Sequence, residues 1–345
     1  MSEQARVGLG RRGFLGTGLA TAAGAVAAAS ASAAVAGPAN PRTVSTMPTR
    51  NLGRTGHRVG LWSLGCQAAV EVEGNDELAE KIINRAIDLG VNYLDTAAAY
   101  GNGVSEINVG RVMRTRRKEV FLATKTNKYT YDEAMGLLDQ SLARLQTDQI
   151  DLWQLHNVQR REHFDAIFAK GGAIEALQKA RDQKIVRFLG ITGHYEPLIL
   201  AEAIDRFPFD TILMAVNGAD AHYLSFGRYL LPLAQKKGMG IIGMKVTTRG
   251  RVLSTWDPPP LEAQPERLRT AKRGTLTMKE ALSYNLTLPV STTIVGCDSV
   301  EHVEENVRIA SEFSPLSPEE MAAIELKTLP IVRQALYFRR WDLGA

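Results

Sequence analysis

From Arg50 onward the chain alternates short runs of β-branched and apolar residues with longer amphipathic runs, and it does so eight times. No other feature constrains the fold as tightly. A strand followed by a helix, repeated, demands parallel strands joined by crossovers, with the helices covering the sheet. Strands are predicted at residues 61–65, 93–95, 120–124, 150–155, 186–191, 211–214, 240–244 and 293–295. The helices that follow them are predicted at 76–89, 105–113, 131–145, 173–183, 196–205, 229–237, 277–286 and 300–310, with Asp76 and Ser105 as starts and Gly90 as a left-handed stop. Eight such units in about 250 residues suit a closed (β/α)8 TIM barrel of the α/β class better than an open doubly wound sheet. Residues 51–59, with Gly53 and Gly56, predict an N-terminal β-hairpin. Residues 249–273 predict a long loop and 315–327 an extra C-terminal helix.

Residues 1–36 are of another kind. Arg11 and Arg12 precede Phe14 and Leu15, and no further charge appears before Arg42 in a stretch rich in Ala and Gly. This resembles a twin-arginine export signal with an Ala-x-Ala cleavage site, departing from its fullest form at Gly10 and Gly16. The resemblance implies the twin-arginine export machinery as a partner and a periplasmic or otherwise extracytoplasmic location. The competing reading is a retained anchor, but the stretch holds only Phe14, Leu15 and Leu19 of the residues that drive insertion best. No stable membrane span is therefore expected after cleavage. Residues 37–48 read as a linker and 49–345 as the barrel domain.

The formal charge of +4 falls to +2 without the leader, whose charged residues are Glu3, Arg6, Arg11 and Arg12. The remaining basic residues are scattered, which gives nucleic-acid binding no support. Cys66 and Cys297 belong to no Cys-x-x-Cys pair, so local thiolates predict no metal site. They read as small buried residues, with a disulfide between them left open. No strand is followed by the Gly-x-Gly-x-x-Gly turn of a Rossmann nucleotide site, so a nicotinamide cofactor would bind by other means.

In a barrel, chemistry gathers where strands end at their C-terminal face. Asp95 ends the second predicted strand, Tyr100 follows in its loop, Lys125 ends the third strand, and His156 ends the fourth. Each has a bland explanation alone, as a cap, a packed aromatic, a solvent-facing charge or a satisfied histidine. Adjacent strands bring them to one mouth. A lysine held by a carboxylate and placed beside a tyrosine is expected to lower the phenol's pKa from about 10 and make it a usable proton donor. Such a set suits carbonyl reduction: hydride arriving at carbon leaves negative charge on oxygen, which Tyr100 and His156 could stabilise while Tyr100 donates the proton.

The motifs Arg50-Asn51-Leu52-Gly53-Arg54-Thr55-Gly56, Asn92-Tyr93-Leu94-Asp95-Thr96-Ala97 through Tyr100-Gly101 and Ser105-Glu106, Ala123-Thr124-Lys125, and Asp151-Leu152-Trp153-Gln154-Leu155-His156 resemble the aldo-keto reductase superfamily from Pro48 to about Lys327. The resemblance implies a catalytic tetrad of Asp95, Tyr100, Lys125 and His156 with Tyr100 as general acid. It also implies a cofactor extended across the barrel mouth, NADP(H) in preference to NAD(H), with no metal, and a small aldehyde, ketone or sugar-like carbonyl as substrate. The alternative is a catalytically weak cofactor-binding sensor or regulatory protein on the same barrel, as in that superfamily's potassium-channel β subunits. A hydrolase or isomerase would want paired carboxylates or a metal cluster at the strand ends.

Carried over by alignment, the cofactor contacts fall at Thr192, Asn217 and Met244 toward the nicotinamide end, with Lys245 and Arg249 following Met244. At the adenine end they fall at Gly296, Cys297, Asp298, His302, Glu305 and Asn306. Several depart from the family pattern: Thr192-Gly193 replaces Ser-Asn, Asn217 replaces Gln, and Met244 stands where an aromatic ring is common. Asp298 lies among positions that elsewhere supply cations to a 2′-phosphate. It is expected either to weaken NADP(H) selectivity or to cap the helix predicted at 300.

Overall fold

The computed structural model describes residues 47–264 and 272–341. The twin-arginine pair, the cleavage site and residues 37–46 of the linker lie outside the described residues.

The strands are β1 Thr49–Asn51, β2 Arg58–Gly60, β3 Trp62–Gly65, β4 Tyr93–Asp95, β5 Phe121–Thr126, β6 Ile150–Leu155, β7 Val186–Gly193, β8 Thr211–Ala215, β9 Gly240–Met244 and β10 Thr292–Val295. Strands β3 to β10 pair in parallel and close on themselves, β10 beside β3, as the (β/α)8 reading requires. The helices are α1 Asp76–Asp88, α2 Val104–Arg116, α3 Tyr131–Leu145, α4 Arg161–Phe168, α5 Ala173–Asp182, α6 Pro197–Arg206, α7 Phe226–Tyr229, α8 Leu231–Lys236, α9 Met278–Thr287, α10 Val300–Ser311, α11 Pro318–Thr328 and α12 Val332–Ala335. Their placement follows from residue periodicity. On α1 the buried residues are Ala79, Ile82, Ile83, Ala86 and Ile87, the stripe that a 3.6-residue period lays against a core. Strand β6, enclosed by the barrel on one side and helices on the other, is buried at every position.

The N-terminal hairpin β1–β2 is antiparallel and covers the end of the barrel where the strands begin. Arg54 donates to the carbonyls of Phe209 and Lys237, just ahead of β8 and β9, at 2.5 and 3.0 Å. Arg50 donates to the carbonyl of Val290, just ahead of β10, at 2.7 Å. Gly53 has φ +52°, and a Cβ there would lie 2.1 Å from the Gly240 nitrogen, so only glycine allows the turn to seat against β9.

Several local expectations change. Helix α1 is preceded by Asn75, and Asp76, its first residue, instead pairs with Arg111 at 2.7 Å. Helix α2 begins at Val104 after left-handed Gly103, and Ser105 is buried, donating to the Cys66 carbonyl at 2.6 Å. Helix α4 was not anticipated; it interrupts the loop after β6. The helix expected at 229–237 is two short pieces, α7 and α8, because Pro232 in the first turn of α8 has no N–H to continue a ladder from α7. Gly90, with φ +89°, does end α1 as expected. Both cysteines are free and buried. Among the described residues no helix is long and apolar enough to cross a membrane.

Candidate active site

Parallel pairing decides which side chains share the mouth. Asp95 on β4 stands opposite Ala123 on β5, Lys125 lies two residues further along β5, and Gln154 on β6 stands opposite Lys125. A two-residue step returns to the same strand face, so the register turns Asp95 and Lys125 to one side. The Lys125 ammonium donates to the Asp95 carboxylate, to the Thr96 carbonyl at 2.7 Å and to the Tyr100 hydroxyl at 3.2 Å. It also lies 4.7 Å from the centre of the Tyr100 ring. His156 packs edge-on to that ring at 5.6 Å. The four residues expected to act together are together.

Asp95 is fully buried, and its second carboxylate oxygen accepts from Gln154 Nε2 and Tyr93 Oη, each at 3.2 Å. A carboxylate so enclosed is tolerated because every neighbour donates to it. Burial by itself would depress the Lys125 ammonium; Asp95 and Tyr100 outweigh it and hold the group above the ordinary lysine value. Tyr100 corrects the sequence expectation. Burial raises its phenol above the ordinary value, and Lys125 opposes that rise without overcoming it. The phenol is therefore protonated at neutrality, and the lysine acts by limiting the cost of its ionisation. His156 is pulled down to about 3, first by burial and then by Lys125 and Lys245, so its ring is neutral.

Tyr100, Lys125 and His156 open into a cavity of about 510 Å³ that also receives Thr192, Met244, Lys245 and Arg249 from the ends of β7 and β9. Thr192 Oγ1 accepts from the Asn157 backbone N–H at 2.8 Å. Asn157 follows His156 with φ +59°, and its Oδ1 is buried without a partner. Asn217 is absent from the cavity wall. Its amide nitrogen donates to Lys245 O at 3.1 Å and Thr248 Oγ1 at 3.2 Å, and its oxygen accepts from Ala219 N at 2.9 Å, so both ends are already engaged by protein.

The adenine-end positions lie apart from this cavity, after β10 and along α10. Gly296, Asp298, His302 and Glu305 are exposed. Cys297 and Asn306 are buried and face each other, with Asn306 Nδ2 at 3.4 Å from Cys297 Sγ. Helix α10 is capped by Ser299, which accepts from the His302 N–H, and not by Asp298. Asp298 is left at the surface.

Sequence reading passed over the far wall. Tyr337, Phe338 and Arg339 reach the cavity from the segment after α12, beside Tyr195 from the loop after β7. No periodicity marks them; three-dimensional return of the chain places them there. Gln154 did leave a signal, as a lone amide in an otherwise apolar strand end.

Comparison with known proteins bears on the family and the fold. The profile of the Aldo/keto reductase family matches residues 58–328. The chain is 29% identical over 307 residues to the L-galactose dehydrogenase of Arabidopsis thaliana, spanning 81% of this chain and 93% of that protein. It is similar to an aldo-keto reductase from Bacillus halodurans in its holo form, with 28% identity, a TM-score of 0.66, and coverage of 81% of this chain and 96% of the other. A Klebsiella pneumoniae aldo-keto reductase in complex with NADPH shares the fold at 22% identity and TM-score 0.62, covering 80% and 94% of the two chains. The family profile runs from the second strand of the hairpin to the end of α11, and so takes in every strand of the barrel; the chain belongs to the aldo/keto reductase family and is an NAD(P)H-dependent oxidoreductase acting on carbonyl compounds.

Proposed function

We propose that the protein reduces a small aldehyde or ketone, sugar-like or otherwise, with Tyr100 as the proton donor. The observation that carries this reading is the Lys125 ammonium, which touches Asp95 and Tyr100 together at the floor of an open cavity. When bound, the nicotinamide supplies a hydride to the carbonyl carbon. Tyr100 Oη delivers the proton to the carbonyl oxygen, and Lys125, 3.2 Å away, stabilises the phenolate left behind. Asp95 keeps Lys125 charged and aimed. Neutral His156 hydrogen-bonds the same oxygen and orients it without adding a charge.

The residues present suit a nicotinamide nucleotide. The unpartnered Asn157 Oδ1 offers an acceptor for a carboxamide N–H, Met244 offers an apolar surface for a ring, and Arg249 carries positive charge on the loop after β9. Family habit favours NADP(H). Exposed Asp298 argues for a smaller preference over NAD(H) than is usual. Oxidation of NADPH across a panel of carbonyls tests the reading: turnover lost in Tyr100→Phe is expected, and binding of nucleotide with no turnover of any carbonyl would favour a sensor instead.

The leader supports export of the folded, cofactor-loaded enzyme by the twin-arginine route. Replacing Arg11 and Arg12 together by Lys is expected to hold the precursor in the cytoplasm. Extracytoplasmic protein that contains no nucleotide and takes none up would sink this part.

A further inference from the structure

Asp95 is held by donors on both of its oxygens. Lys125 takes one, and the other accepts from Gln154 Nε2 and Tyr93 Oη, each at 3.2 Å. All four side chains are buried. Gln154 arrives from β6, where it stands opposite Lys125, and Tyr93 from β4, two residues before Asp95 and so on the same strand face. Lys125 alone of the three continues to the Tyr100 hydroxyl, at 3.2 Å.

Packing alone does not explain Gln154. It lies between Trp153 and Leu155 in a strand buried at every position. A carboxylate only accepts, so the nitrogen end of the amide faces Asp95. The oxygen end is then buried with no partner among the described residues. An unpaired buried acceptor weakens a fold, so what this amide contributes lies at its donor end. The next strand makes room for it: Gly190 on β7 stands opposite Gln154, and a Cβ there would lie 2.9 Å from Gln154 Cγ. Tyr93 is fixed as a donor too, since burial first, and Asp95 after it, hold its phenol well above the ordinary value.

We propose, resting on the reading of Tyr100 as proton donor, that Gln154 and Tyr93 are positioning residues for the reaction: by holding the second oxygen of Asp95 they take up part of its charge and fix its direction, which leaves the Lys125 ammonium available to Tyr100. A carboxylate held on one side only turns its whole charge toward Lys125. The ammonium is then drawn away from the Tyr100 oxygen, and the carboxylate bears more strongly on the phenol, whose ionisation it already opposes. Both effects make the phenolate harder to form. Cys66 after β3 and Lys245 after β9 are the other titratable groups whose charges reach Asp95. They are the same in parent and variants, so a difference between the proteins belongs to the donor removed.

The test compares the parent with Gln154→Met, which keeps length and removes the donor, and with Tyr93→Phe, which keeps the ring. The pH–rate profile for carbonyl reduction is measured for each, with NADPH titration by fluorescence and urea unfolding. Tyrosinate absorbance is followed as well, as the difference between each protein and the same protein carrying Tyr100→Phe. Each variant is expected to move the alkaline limb and the Tyr100 titration up by about one pH unit and to lower kcat about tenfold. The NADPH Kd should stay within about twofold, because neither residue lines the cavity. An alkaline limb unmoved in both variants would overturn the proposal, and lost stability without that shift would assign the pair to packing. If Gln154→Met does not fold, Tyr93→Phe decides. If the parent reduces no carbonyl, the reductase reading fails by itself. The tyrosinate difference then decides: a Tyr100 titration at higher pH in the variants upholds the positioning role, and an equal one removes it.

Discussion

The Arg339 guanidinium, buried in the segment after α12, meets the Asp220 carboxylate from the loop after β8 at 2.5 Å, across 119 positions of sequence. Arg339 also donates to the carbonyls of His194 at 2.8 Å and Ala215 at 2.9 Å, and lies over the Phe226 ring at 4.0 Å. Nearby, Tyr223 stacks on Trp341 with centroids 4.0 Å apart. One cation thus ties the C-terminal segment to the ends of β7 and β8, and Tyr337 and Phe338 become cavity wall as a result. Arg339→Met leaves the buried Asp220 carboxylate unpaired and is expected to cost about 3–5 kcal/mol in urea unfolding. A loss below about 1 kcal/mol would show that the pair is not an anchor.

Tyr100→Phe removes one hydroxyl and almost no volume. Turnover is expected to fall by roughly 100-fold or more while the NADPH Kd stays within about twofold, because the proton donor is lost and the cavity wall is kept. Equal kcat in mutant and parent would refute the assignment.

Lys125→Met has two consequences of different kind. The phenol loses the cation that opposes its upward shift, so the alkaline limb of the pH–rate profile should move to higher pH as activity falls. The fully buried Asp95 also loses its partner, so stability should drop with activity. An unchanged alkaline limb would count against the role of Lys125 toward Tyr100.

Three histidines are held neutral in the fold: His57 at about 4, His156 at about 3, and His194 well below its ordinary value, each chiefly by burial. The unfolded chain binds protons on these rings at about 6.5 and the native state does not. Their contribution is therefore complete above pH 6.5 and lost as pH falls. At pH 5 the loss is at most about 2 kcal/mol per ring, less where a ring keeps solvent contact. Thermal unfolding should accordingly show Tm falling steadily from pH 7 to pH 5, and a flat Tm over that range would contradict the neutral assignment.

Nucleotide preference tests the surface after β10. A 2′-phosphate bound beside exposed Asp298 would meet its negative charge, and neither buried Cys297 nor buried Asn306 presents a charge to offset it. Titration of both nucleotides into cofactor-free protein is expected to show a preference for NADPH below about 100-fold, about 3 kcal/mol.

Periodicity made the barrel legible, since eight alternations of strand and helix leave few ways to bury every apolar face. The residues at strand ends were legible for the same reason: Asp95 closes a predicted strand, Lys125 and His156 directly follow one, and adjacent parallel strands end at one face. Helix starts were less so: Asp76, Ser105 and Asp298 all resemble caps, yet Asn75 and Gly103 hold the cap positions of α1 and α2 with no side-chain bond, and Ser299 caps α10. What only the tertiary structure decided are quantities that depend on enclosure and long-range return of the chain. Burial turned the Tyr100 shift upward, internal partners engaged both ends of the Asn217 amide, and Arg339 brought the segment after α12 back across the mouth. Local pattern fixes which face of an element is apolar; desolvation and pairing depend on which distant residues arrive there, and residue order does not record that.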